Sequence, residues 1–108
     1  MSPPPRNTVV LIVHNGDEFV SDAVASVRAQ SLADWELVAV DDGSTDGTAG
    51  ILRQHAAEIG SRMRIVGHPG GVNRGMSASR NLGIREARSD LVTFLDHDDI
   101  LEPGKLAA

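Results

Sequence analysis

The sequence predicts an α/β fold with a mostly parallel sheet of about four strands flanked by helices. Three observations carry this. Short runs of aliphatic and β-branched residues recur along the chain, and each stops at a polar loop. Between them lie segments whose apolar residues follow a helical spacing. The stretches joining successive runs are long enough to cross over the sheet, as parallel pairing requires.

The first run, Thr8 to Val13, reads TVVLIV. A continuous apolar run suits a strand buried on both faces, whereas a strand with one wet face alternates. His14-Asn15-Gly16 breaks it. From Asp17 to Gln30, Val20, Ala23, Val24 and Val27 recur at helical spacing. Asp17 and Glu18 fall in the expected first turn, where acidic side chains favour the positive end of the helix dipole. Trp35 to Val40, WELVAV, is the second predicted strand. It runs into Asp41-Asp42-Gly43-Ser44-Thr45-Asp46-Gly47, a loop with Ser44, Thr45 or Asp46 available as a cap.

Ile51, Leu52, His55, Ala56 and Ile59 form the stripe of the next helix, and Gly60 ends it. Arg62 to Val66 reads as a short third strand, followed by the turn residues His68-Pro69-Gly70-Gly71. The third helix is expected over Gly75 to Arg88, with Ala78, Leu82 and Ala87 facing inward. Gly83 carries a propensity cost in its interior. Asp90 to Leu95 is the fourth strand and ends in Asp96-His97-Asp98-Asp99. Glu102-Pro103 has the form of another helix start.

Composition narrows the function classes. A chain of 108 residues makes one domain, and 41% apolar with 23% charged residues is ordinary for a globular protein. Residues 1–7, with three consecutive prolines, read as a flexible lead-in to a single unit spanning 8–108. The net charge of -5 gives nucleic acid little electrostatic attraction, so no such partner is expected. The absence of cysteine excludes disulfides and thiolate metal sites. No signal-peptide run is visible, and no apolar stretch approaches the ~20 residues of a membrane span. The expected location is therefore the cytoplasm, with membrane association left open through any further C-terminal part.

In parallel α/β sheets ligands bind beyond the carboxyl ends of the strands. Six of the fifteen acidic residues lie in two loops there: Asp41, Asp42, Asp46, Asp96, Asp98 and Asp99. Carboxylates crowded at one edge repel unless a cation sits among them. Their oxygens suit hard ions such as Mg²⁺ or Mn²⁺, commonly held by one or two carboxylates plus substrate phosphates. The competing reading is that these residues shape turns and cap helices. Asp46 suits a cap and Asp99 a structural role, whereas the cluster from Asp96 onward exceeds what one cap needs.

The start of the third helix can receive phosphate on free N–H groups, with Arg74 adding charge. Arg80 suits a scaffold role, paired with Asp41 or Asp96, better than substrate contact. Asn81 suits backbone bonding and His55 packing. His97, between two aspartates, points either to an ion or to solvent.

The strand–HNG start, WELVAVDDGSTDGT, the RGMSASRNLGI helix and FLDHDD follow one another in order and spacing. Together, from about Thr8 to Lys105, they resemble the family 2 glycosyltransferases of the GT-A fold. The resemblance implies the nucleotide-binding half of a Rossmann-like GT-A domain. It also implies transfer of a sugar from a nucleotide-diphosphate donor, usually with inversion. By this match Asp96-His97-Asp98 is the DxD motif, with Asp98 binding Mn²⁺ or Mg²⁺ and Asp96 binding the ribose or the metal. Asp42 would contact the base, with Asp41 close by. Val13, His14, Arg74 and Gly75 complete the expected nucleotide-sugar set, and a UDP-sugar is the commonest donor.

Two residues depart from the family pattern. Ile12 stands where Pro or Thr is frequent, and His14 where Tyr is common; both would touch the base pocket. Inverting members take their general base and acceptor site from the second half of the fold. No catalytic residue is therefore assigned here, and the acceptor is open. The chain is expected to be the donor-binding part of a truncated domain, to bind donor weakly and to transfer little or nothing. An exposed sheet edge is expected to favour self-association.

Other classes fit less well. A receiver-type signalling domain needs an acid pair after the first strand, where His14-Asn15 stands. A dinucleotide-binding domain needs GxGxxG there. A non-catalytic binding module with the same fold is the remaining alternative.

Overall fold

A computed structural model describes residues 5–30, 34–96 and 99–101. The elements alternate: β1 (Asn7–Val13), α1 (Val20–Arg28), β2 (Trp35–Asp41), α2 (Thr48–Ile59), β3 (Met63–Gly67), α3 (Met76–Glu86) and β4 (Leu91–Asp96). Short 3-10 turns, Gly60–Arg62 and Pro69–Gly71, lead into β3 and out of it. Among the described residues no helix is long and apolar enough to cross a membrane.

The four strands are all parallel, in the order β3-β2-β1-β4. The chain therefore steps outward from β1 to β3, then returns to the other side of β1 to lay down β4. That reversal makes the carboxyl end of β1 the switch point in strand order, beyond which parallel sheets bind ligands.

The continuous apolar runs are explained by burial on both faces. Every residue of β1 is buried, and so are Trp35 to Val40 of β2. Val9, Leu11, Val13, Leu37 and Ala39 pack with Val20, Val24, Val27 and Leu52 of α1 and α2. The alternate residues Val10, Ile12, Val38 and Val40 form a second cluster with Leu82 of α3. Two layers of helix thus sandwich the two central strands.

Several boundaries and faces differ from expectation. α1 begins at Val20 rather than Asp17. The Asp17 carboxylate accepts the Gly47 N–H (3.1 Å), and the Asp17 N–H donates to Asp46 (3.2 Å), which ties that segment to the loop before α2. α3 begins at Met76 and stops at Glu86, leaving Ala87 outside it. Its most buried residues are Ser79 and Gly83; Leu82, half-buried, packs against the second cluster as expected, and Ala78 is half-buried. Gly83 has a packing reason: a Cβ there would lie 2.4 Å from Val10 Cγ1. The helix accepts a poor helix former because only a residue without a side chain lets it approach β1 this closely.

Near the amino end of β2 lies a buried carboxylate, Glu36, only 1% exposed. Its Oε1 accepts from Arg64 Nη2 (3.1 Å) and Arg88 Nε (3.0 Å). Its Oε2 accepts from Thr8 Oγ1 (2.6 Å) and the Arg88 N–H (2.7 Å). Burial pushes its pKa up, but the Thr8 and Arg88 hydrogen bonds and the Arg64 charge together bring it below the ordinary 4.5. Arg64 also donates to the Glu86 carbonyl, so the network fastens the end of α3 to the sheet. The acidic residue inside WELVAV gave no sequence signal of this role, because its partners come from three separate segments.

Candidate functional site

The carboxyl edge of the sheet is built from the loops after β1, β2, β3 and β4. The loops after β1 and β2 hold each other. Asn15 Oδ1 accepts the Thr45 N–H (2.7 Å), the Asn15 N–H donates to Ser44 Oγ (2.9 Å), and the Gly16 N–H donates to Thr48 Oγ1 (3.0 Å). Asn15 sits at φ 51°, a left-handed conformation that Asn tolerates better than most residues.

The three aspartates after β2 do not converge on a common point. Asp41 Oδ1 accepts the Ser44 N–H (3.0 Å). Asp46 Oδ1 accepts both the Thr48 N–H (2.9 Å) and Thr48 Oγ1 (2.5 Å). The Thr48 side-chain bond is the main reason that the Asp46 pKa falls to about 2. Asp46 thus serves the start of α2 as expected, one residue ahead of the capping position, which is Gly47.

Asp42 is the most constrained of the three. Its side chain is 5% exposed. Oδ1 accepts the Arg74 N–H (2.7 Å) and Oδ2 the Gly75 N–H (3.0 Å). The Arg74 and Gly75 N–H groups, at the approach to α3, are therefore taken by a carboxylate of the protein itself. The charge of this carboxylate is met by backbone donors. Beside Asp42, Gly43 lies so close to the next loop that a Cβ would meet Asn73 N at 2.4 Å, and its φ of 72° also favours glycine.

Val13 and His14 stand at the end of β1, Val13 fully buried and His14 exposed. His14 Nδ1 lies 2.8 Å from the Asp42 carbonyl and 3.0 Å from Asn73 Nδ2. With its proton on Nδ1 the ring donates to the carbonyl; in the other tautomer it accepts from Asn73. Asn73 and Asn15 are thus part of this edge, although composition and spacing did not single them out. The signal available was their position, each directly after a predicted strand or turn.

Asp96 ends β4, half-buried, on the far side of β1. Unlike the aspartates after β2, its carboxylate has no hydrogen bond or ion pair among the described residues. Asp98 and His97 of the expected DxD motif lie outside the described residues, and no group of three or more His, Cys, Asp or Glu able to hold a metal occurs among those described. Asp99 is exposed, and its N–H donates to the Asp96 carbonyl (3.0 Å).

Three expectations for α3 and the histidines are corrected. Arg80 pairs with neither Asp41 nor Asp96; its guanidinium lies 5.6 Å from the centre of the Phe94 ring. Asn81 is exposed and makes no hydrogen bond among the described residues. It lines a shallow groove of about 340 Å³ with His68, Pro69, Arg74, Ala78 and Arg85. His55 does more than pack, since its Nε2 lies 2.9 Å from Ser21 Oγ and joins α2 to α1.

The fold and sequence match known proteins closely. TarS of S. aureus, in a crystal structure with UDP-GlcNAc, superposes with a TM-score of 0.84 at 24% identity, covering 94% of this chain and 29% of that one. The mannosyltransferase PcManGT from Pyrobaculum calidifontis, in complex with GDP-Man and Mn²⁺, superposes with a TM-score of 0.78 at 26% identity, covering 92% and 29%. EpsE of Bacillus subtilis (strain 168) is 31% identical over 106 residues, which are 98% of this chain and 37% of EpsE. The chain thus spans little more than a third of that relative's length. The profile of "Glycosyl transferase family 2" matches residues 8–108, and the chain belongs to that family.

Proposed function

We propose that the carboxyl edge of this sheet is the donor site of a glycosyltransferase, binding a nucleotide-diphosphate sugar for transfer to an acceptor, with inversion. Family membership supports the reaction class. The complexes of the structural neighbours with UDP-GlcNAc and with GDP-Man support the ligand class. A UDP-sugar is the donor of choice for this reading.

The observation that carries the proposal is the contrast among the aspartates. Those after β2 are bonded to backbone donors and shape the loops. Asp96, across β1 at the switch in strand order, has no hydrogen bond or ion pair to its carboxylate among the described residues. In the proposed site Val13, His14, Asp41 and Asp42 form the base side. Asp42 Oδ2, which accepts the Gly75 N–H, has a lone pair left with which to accept from a base N–H. Arg74 and Gly75 border the diphosphate side.

Asp96, half-buried and without a carboxylate partner among the described residues, fits a hard divalent cation, Mn²⁺ or Mg²⁺, with Asp98 as the second ligand. When bound, the ion supplies positive charge against the departing diphosphate. The chain's own residues bind and orient the donor. The general base and the acceptor site are assigned to the part of the longer relatives that this chain does not cover, so the chain alone is expected to transfer little or nothing.

Titration of UDP into the chain by calorimetry, with and without Mn²⁺ and repeated with Asp98→Ala, tests the reading. The expected result is binding that depends on the metal and is lost in the variant. A folded chain that binds neither UDP nor GDP would overturn it.

The reading extends to two further points. Among the described residues β4 is a sheet edge, and it carries the exposed apolar residues Leu91 and Phe94, with Ile84 exposed on α3. Such an edge favours pairing with a second copy; a monomer by light scattering at high concentration would count against it. A cytoplasmic location is also proposed, and cell fractionation checks it.

A further inference from the structure

Asp42 meets a third polar partner, on the side away from the loops. His68 Nε2 lies 3.4 Å from Asp42 Oδ1 and 3.1 Å from Ser79 Oγ. The three groups come from the ends of β2 and β3 and from the second turn of α3. All are buried: the His68 and Asp42 side chains are each 5% exposed, and Ser79 is fully covered. Burying polar groups is costly unless they satisfy one another. One ring nitrogen faces both a carboxylate and a hydroxyl. A proton on Nε2 turns the carboxylate contact attractive, whereas a lone pair there faces negative charge. The electrostatics therefore favour the Nε2–H form, which hydrogen-bonds to Ser79 Oγ and sets its positive edge against the Asp42 carboxylate.

This contact matters because of what Asp42 holds. Its two oxygens fix the Arg74 and Gly75 N–H groups, and Gly43 packs directly on the Asn73 backbone. Asn73 in turn meets His14. A small rotation of the Asp42 carboxylate would release the whole wall. We propose that His68, backed by Ser79, is a positioning residue of the nucleotide site: it sets the Asp42 carboxylate so that the wall from Val72 to Gly75 is preformed before ligand arrives. A preformed wall spares the ligand the cost of ordering it. The inference rests on reading this edge as the nucleotide site.

The test is a double-mutant cycle on the chain. UDP affinity in the presence of Mn²⁺, or GDP affinity if UDP does not bind, is measured for His68→Phe, His68→Gln, Asp42→Asn and the His68→Phe/Asp42→Asn pair. Hydrogen exchange at the Arg74 and Gly75 amides accompanies it. His68→Phe is expected to weaken binding by about 10-fold in the parent and by less than about 2-fold when Asp42 is already Asn. His68→Gln, whose amide nitrogen still donates, is expected to restore most of the affinity. The Arg74 and Gly75 amides are expected to exchange faster in His68→Phe, while those of β1 keep their protection and show that the fold is intact.

Equal losses in both backgrounds would mean that His68 acts only as packing and would overturn the inference. Unchanged exchange at Arg74 and Gly75 would overturn it as well. A chain that binds neither nucleotide would sink the functional reading, and the exchange result would still decide whether His68 positions Asp42. If His68→Phe does not fold, Ser79→Ala takes its place, with the same expected pattern at smaller amplitude.

Discussion

Glu36 and Asp42 sit near opposite ends of one strand and fasten opposite ends of one helix. Glu36 accepts the Arg88 N–H just after α3, and Asp42 accepts the Arg74 and Gly75 N–H groups just before it. The two carboxylates differ in company. Glu36 has two guanidinium groups and a hydroxyl against it, so its charge is answered in full. Asp42, almost as buried, has backbone donors and one imidazole, and it borders loops that carry exposed polar side chains. The same chemistry therefore fastens the helix at one end and, in the proposed site, shapes the nucleotide wall at the other.

The largest expected effect tests the stability end. Glu36→Ala strands the Thr8 hydroxyl and two arginines and is expected to cost about 3 kcal/mol in urea denaturation. That is below the full cost of a broken buried pair, because Arg64 and Arg88 are 34% and 55% exposed and can turn to water. Asp42→Asn, which keeps one acceptor, is expected to cost about 1 kcal/mol while weakening UDP binding far more than Glu36→Gln does. A reversed pattern, with nucleotide binding more sensitive to Glu36, would break the comparison.

Between the two fastenings the helix is pressed onto β1 at Gly83. Adding a methyl there improves helix propensity by ~1 kcal/mol yet forces Val10 aside, so Gly83→Ala is expected to destabilise by about 1–2 kcal/mol net. Val10→Ala in the same chain should recover part of that loss, as melting curves can show.

Acid sharpens the contrast in a graded way. The Glu36 pKa is lowered from 4.5 on folding, and that of Asp46 from 3.8 to about 2. Lowered carboxylates contribute stability that is complete above their unfolded values and is lost as pH falls through the folded ones. Denaturation midpoints should therefore fall as pH drops below about 4.5 and continue falling toward 2, and Glu36→Gln should flatten the upper part of that slope. The smallest effect is a control on the outer surface. The Arg28–Glu58 pair (3.0 Å) is 39% and 51% exposed, and Glu58→Gln should change stability by less than about 0.5 kcal/mol.

The strands and their parallel order were legible because double-sided burial leaves an unbroken aliphatic signature, as in TVVLIV and WELVAV. The polar edge was legible because Asp, Ser and Gly follow each run. The uses of Asp42 and Glu36 were not. They look like the other acidic residues in sequence, and each role depends on donors brought from 28 to 52 residues away by the crossovers, whereas the service of Asp46 to α2 is local and was legible. Gly83 read as a cost to the helix, because the methyls of Val10 that demand it lie across the sheet. The start of α1 was placed early because Asp17 and Glu18 suit a first turn, while the tie between Asp17 and Gly47 is tertiary.

The order of the strands also constrains how the chain comes together. β1 gains one neighbour once Trp35 to Asp41 exists, but its other edge pairs Asn7 with Leu91 and waits for nearly the whole sequence. Contacts between distant segments slow folding, since loops must close before pairing rewards them. During synthesis the half-zipped β1, with its most apolar stretch open on one side, is the surface that a chaperone would be expected to find.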